Sequence, residues 1–143
     1  MATLTTAALP AGPNAITATY SGGADFFSTE SAPSSVTVAQ AATQVAVVQN
    51  SVFKKKKLTS IRLTAEIKRS APGEGVPTGE VTIELVTKIK KKEKITRLGT
   101  AAISGGVATL TLPASKVLDK AVTIIYSGDA NDKPTTFITA KLR

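Results

Sequence analysis

The chain has 143 residues, 42% of them hydrophobic, and a formal net charge of +8. That apolar content is enough for a packed core and too high for a disordered segment. The absence of Cys and His removes disulfides, thiolate metal sites, a cysteine nucleophile, the commonest general base and any Ser–His–Asp arrangement within the chain.

Period-2 alternation and β-branched residues predict strands over 2–6, 14–20 and 33–38, followed by a short linker at 39–42. Seven further strands are predicted over 43–49, 59–68, 80–87, 94–103, 107–112, 120–126 and 135–142. Breakers separate most of them: Ala71-Pro72-Gly73, Val76-Pro77-Thr78-Gly79, Ser104-Gly105-Gly106 and Ser127-Gly128-Asp129. Ala114–Leu118 can make one turn of helix, but no segment sustains a 3.6-residue period. No run of about 18 apolar residues suggests a membrane-spanning helix. The N-terminus has no basic residue and no apolar h-region, so no signal peptide is read there.

The chain repeats itself. Residues 2–27 align without a gap to residues 108–133, 106 positions on, with about 11 of 26 identical. Tyr20-Ser21-Gly22-Gly23-Ala24-Asp25 matches Tyr126-Ser127-Gly128-Asp129-Ala130-Asn131. The three early strands therefore correspond, in order, to the last three of the seven. The expected organisation is a C-terminal half-module over 1–38, a linker over 39–42 and a complete module over 43–143. Seven short strands with regular turn signals argue for an all-β, immunoglobulin-like Greek-key β-sandwich.

Particular residues carry a family resemblance. Leu98-Gly99-Thr100-Ala101, Gly105-Gly106, Val107-Ala108-Thr109-Leu110 and Tyr126-Ser127-Gly128-Asp129 resemble the bacterial Ig-like repeat domains of long surface and adhesin proteins. Thr78-Gly79-Glu80-Val81-Thr82 resembles the entry to the third strand of those repeats. The resemblance implies an extracellular or cell-surface location, neighbouring Ig-like modules as partners and no catalytic residues. It implies a structural or adhesive role as spacer or stalk. The sequence departs from the pattern in its third hairpin, where Thr87 to Ile95 is long and basic.

All 18 basic residues lie beyond residue 53. Two runs stand out as candidate contacts for an anionic polysaccharide or other polyanion: Lys54, Lys55, Lys56 and Lys57, and Lys88, Lys90, Lys91, Lys92 and Lys94. In a seven-strand sandwich these loops share one end with Lys116 and Lys120, while Glu74, Asp129 and Asp132 fall at the other. The bland alternative is that the lysines keep hairpins soluble and edges unpaired. No aromatic residue interleaves them, which argues against specific nucleic-acid binding.

Asp129, Asn131 and Asp132 offer oxygens to a Ca²⁺ ion, but not at EF-hand spacing, and an Asx-stabilised turn explains the same residues. Tyr20 and Tyr126 read as core-edge anchors with their hydroxyls bonded to loop backbone. Glu66, Glu80 and Glu84 read as surface ion-pair partners, not as a converging catalytic pair, so no enzyme is expected. The half-module would expose Leu4, Ile16, Ala18, Val36 and Val38 and leave sheet edges open, making these the candidate self-association residues. Strand complementation of the half-module, as in a filament, is the further alternative.

Overall fold

Ile61, Leu63, Ala65 and Ile67 alternate along one strand, and all four are buried. Val81, Ile83 and Leu85 do the same on a second strand, and Ile124 and Tyr126 on a third. Alternation at period 2 puts one face of each strand inward, which is why these segments form sheets that share a core. The computed structural model describes residues 3–71, 73–89 and 92–143. It is mostly β, with antiparallel sheets throughout. The chain divides into two compact units, Met1–Gln40 and Ala41–Arg143.

The larger unit holds β5 (Thr43–Lys54), β6 (Lys57–Arg69), β7 (Glu80–Ile89), β8 (Lys92–Ala102), β9 (Val107–Pro113), α1 (Ala114–Val117), β10 (Thr123–Tyr126) and β11 (Thr135–Ile138). These make a three-stranded sheet of order β5-β6-β9 and a four-stranded sheet of order β11-β10-β7-β8. Ile61, Leu63, Ile67 and Leu112 from the first sheet pack in one core with Val81, Ile83, Ile124 and Tyr126 from the second, closed by Val117 and Leu142. The expected helical turn is present as α1, with the Leu118 amide donating to Ala114. The start of β5 is tied to the β10–β11 loop: the Ala41 amide donates to Asn131 and the Lys133 amide to Ala41. Ala41, read from sequence as linker, is thus bonded into the larger unit.

The smaller unit holds β1 (Gly12–Ile16), β2 (Thr19–Tyr20), β3 (Thr29–Glu30) and β4 (Ser34–Val38). β1 pairs with β4 and β2 with β3, so the segment is one long antiparallel ribbon interrupted at residues 17–18. None of its described residues is buried.

Several strand limits differ from expectation. No strand forms over described residues 3–6; in the larger unit the equivalent β9 is held by β6, and no described strand of the smaller unit takes that place. The expected strand 14–20 is split between β1 and β2, and β3 precedes the expected 33–38. β10 begins at Thr123 rather than 120, and β11 ends at Ile138 rather than 142, although Thr139 and Leu142 still donate to Val122 and Lys120. Both lysine-bearing hairpins are longer than expected, because backbone ladder bonds continue regardless of which side chains leave the pleat.

Candidate functional site: lysine hairpins and the ribbon loop

The β5–β6 hairpin closes at the pair Lys54↔Lys57, with Lys55 at φ 48° and Lys56 at φ 62°. Two consecutive residues at positive φ make the tight turn that matches strand twist, a position favouring Asn-Gly. Lysine there costs roughly 1–2 kcal/mol per residue from Cβ crowding. All four lysines, Lys54 to Lys57, are exposed. Phe53 precedes them and is exposed as well. Phe53 is not among the contacts expected from sequence, although it adjoins the lysine run.

The β7–β8 hairpin carries Lys88, Lys92 and Lys94, all exposed. Lys90 and Lys91 lie outside the described residues. Glu93 partly offsets this group through a 3.7 Å contact with Lys88. Strand register fixes the direction of both hairpins. Ser60 of β6 pairs with Pro113, which leads into α1, and Glu84 of β7 pairs with Thr123, which follows the α1 connection. Both hairpins therefore run past the core at the end where α1 sits. Lys116 and Lys120 belong to the same connection, with Lys120 Nζ donating to the Lys116 carbonyl at 2.9 Å.

The opposite end is less acidic than expected. Asp132 is fully buried and receives two hydrogen bonds from Arg69, Nε to Oδ1 at 2.6 Å and a second guanidinium nitrogen to Oδ2 at 2.9 Å. Arg69 also donates to the Glu74 carbonyl. The bond to Asp132 raises the affinity of Arg69 for its proton, against the opposing pull of desolvation. Arg69 was not singled out from sequence, and nothing in its spacing from Asp132 marks it.

Asp129 organises the loop between β10 and β11. Its Oδ2 accepts from the Thr78 amide at 2.9 Å and the Thr78 hydroxyl at 2.6 Å. Its Oδ1 accepts from the amides of Asn131 and Asp132 at 2.8 and 2.9 Å. Burial acts to raise its pKa, but these donors outweigh burial and hold the carboxyl at about 2. This is an Asx-type turn anchored to a second loop. A cation here would have to compete with Thr78 for Asp129 and with the Arg69 guanidinium for Asp132. Among the described residues no group of three or more Asp, Glu, His or Cys converges as a metal site would require.

Tyr126 is fully buried, and among the described residues its hydroxyl makes no hydrogen bond of acceptable geometry, contrary to the expected bond to loop backbone. Burial first, then the charges of Asp129 and Asp132, push its pKa up to about 12. Gly79, at φ 95°, passes close to this site: a Cβ there would lie 3.0 Å from the Gly128 carbonyl oxygen and 3.7 Å from the Tyr126 ring.

The strand carboxylates do not converge. Glu66 pairs with Lys68 at 2.8 Å, and Glu80 lies 3.9 Å from Arg97, a partner not expected from sequence. A groove of about 280 Å³ beside Arg69 and Val76 has Glu66 as its one carboxylate among the described lining residues. That is no geometry for paired acid–base chemistry.

The loop at Tyr126 has a counterpart in the smaller unit. Tyr20 pairs with Thr29 and Thr19 with Glu30, while 106 residues on Tyr126 pairs with Thr135 and Ile125 with Thr136. The Gly23 amide donates to Phe26 as the Asp129 amide donates to Asp132. Gly22 and Gly128 both take positive φ, where a Cβ would strike the backbone of residues 26 and 28 in one case and 132 and 134 in the other. The two ribbons share one register and one turn. Compared with known proteins, the chain matches no family model, no curated protein and no solved structure.

Proposed function

We propose that this chain is a stretch of a tandem array of immunoglobulin-like modules, non-catalytic, acting as a spacer or stalk at a bacterial cell surface. The observation that carries the reading is the recurrence of one ribbon, with the same register and one equivalent backbone bond across the loop, 106 residues apart. The orders β5-β6-β9 and β11-β10-β7-β8 support the immunoglobulin-like assignment, since an early strand and the fifth lie in one sheet and the last two in the other. The surface location rests on the sequence resemblance. In such arrays each module is stabilised by its own core and by its neighbours, and tension passes along the chain.

Single-molecule pulling on the two ends tests this. A spacer gives one discrete unfolding event for Ala41–Arg143, releasing about 30–35 nm at roughly 3.6 Å per residue. Featureless extension at low force would remove the spacer reading.

A second reading is favoured by one observation. Two hairpins extend in the same direction, and one presents lysines in a turn where lysine is conformationally unfavourable. The surface would hold an anionic polysaccharide by charge, with little sequence or shape specificity. Retention on immobilised heparin should fall steeply with salt and drop further when Lys54 to Lys57 are replaced by Gln. Retention unchanged by those replacements would remove this reading and leave the spacer untouched.

A further inference from the structure

We propose that the ribbon Gly12–Val38 is an acceptor for the first four strands of an immunoglobulin-like half-unit, equivalent to β5–β8 and offering an open β7-type edge. The inference rests on the tandem-module reading and names what completes the smaller unit.

The larger unit shows what covers such a ribbon. Four inward positions there are Val122, Ile124, Tyr126 and Leu142, each no more than 1% exposed. At the same offset the smaller unit has Ile16, Ala18, Tyr20 and Val36, apolar at every position. Of these, Ile16 is 40%, Tyr20 48% and Val36 42% exposed. Side chains suited to a core thus stand in a ribbon whose register already matches the covered copy. In that copy the free edge of β10 is taken by β7, with Ile83 opposite Ile124 and Val81 opposite Tyr126. In the corresponding segment, Thr17–Tyr20, strand β2 covers Thr19–Tyr20, and among the described residues its one strand partner is β3. An incoming strand would therefore lie antiparallel, with one apolar residue opposite Tyr20 and another opposite Ala18. Ala18 is smaller than Ile124, so the completed core has spare room there.

A second copy of this chain is a poor occupant. Its β7 is flanked by β10 and β8, and its own ribbon is held intramolecularly with the larger Ile124 in place. The occupant needs the strands of a half-unit that lacks such a ribbon of its own.

The test places a duplicate of residues 41–107 directly ahead of residue 2, which supplies four such strands in the spacing of the complete module. Hydrogen exchange of the Thr17–Tyr20 amides is read by NMR. Completion slows them about 100-fold relative to the parent chain, as expected when fraying backbone joins a cooperative core. Ala18→Ile in the extended chain slows them further. Ile83→Pro confined to the duplicated strand returns them to the parent rate, because proline removes a ladder donor. Parent-like exchange in the extended chain, with or without Ala18→Ile, while Ile124 stays protected, overturns the proposal. If the pulling signature of the larger unit persists in that case, the module reading survives and only this inference falls. Concentration-dependent dimerisation of the parent chain that itself protects Thr17–Tyr20 would also overturn it, by assigning the edge to a second copy.

Discussion

Two ribbons of one design sit in this chain under opposite conditions. Thr19–Glu30 and Ile125–Thr136 share pairing, one turn hydrogen bond and a positive-φ glycine. Yet Tyr126 is fully enclosed and Tyr20 is half exposed. The comparison separates two causes that are usually confounded. Turn chemistry and register are local and survive without a core. Burial is supplied by neighbours, and a lone two-stranded ribbon is marginal in water. Each large apolar side chain fully buried contributes about 1.5–3 kcal/mol, and that is the component the smaller unit lacks.

The largest break in the comparison comes from the buried ion pair, whose carboxylate has Phe26 as its counterpart in the smaller unit. Asp132→Ala leaves the Arg69 guanidinium facing an empty site and should cost about 3–5 kcal/mol, read as a lower urea midpoint. Phe26→Ala in the exposed loop should leave the same midpoint within about 0.5 kcal/mol. Next, Ile124→Ala should cost about 2–4 kcal/mol through lost burial and the cavity it leaves. In the smaller unit Ala18 stands where Ile124 does, so the truncation to compare is Ile16→Ala, at the position equivalent to Val122, and it should be nearly silent in the urea melt. A large effect at Ile16 would mean that the ribbon is already covered.

Smaller effects follow from titration and turn strain. The Asp129 carboxyl sits at about 2 in the fold, below its ordinary 3.8. Its stabilisation is complete above about pH 4 and is lost as pH falls through 2, about 1–2 kcal/mol after solvent screening. Asp129→Asn should flatten that acid limb. Gly23 holds the equivalent place in the other ribbon and contributes no such limb. Tyr126 acts in the opposite direction: its pKa of about 12 preserves stability below about pH 10 and loses it as pH rises through 12. Thermal melts across pH check both limbs. Smallest, the double change Lys55→Asn with Lys56→Gly should raise the urea midpoint by about 1 kcal/mol, because those residues accept positive φ. Unchanged or lower stability would show that the lysine turn is not strained.

Much of this was legible because it is periodic or punctuated. Alternation located the strands over 59–68 and 80–87, and the Tyr-Ser-Gly repeat located both ribbons. What escaped was decided by partners remote in sequence. Arg69 meets Asp132 across 63 residues and Thr78 meets Asp129 across 51, and no local pattern encodes either approach. The Tyr126 hydroxyl was expected to bond to loop backbone, as buried phenols usually find a partner, and makes no bond of good geometry among the described residues. Residues 3–6 carry a strand-like sequence without a strand, since a strand needs a neighbour to bond. For the candidate binding surface, the lysines were plain in the sequence. The left-handed turn that holds Lys55 and Lys56 was not, because those residue types argue against it.

That turn also bears on how the molecule meets proteases. The apex of the β5–β6 hairpin offers adjacent lysines, each a cleavage point for a trypsin-like enzyme. Cutting there would leave Thr43–Lys54 joined to Lys57–Arg69 by an uninterrupted ladder apart from one bulge. The nicked protein would keep its shape and separate into two fragments only in denaturant, so the chain could be cleaved at this hairpin and remain assembled.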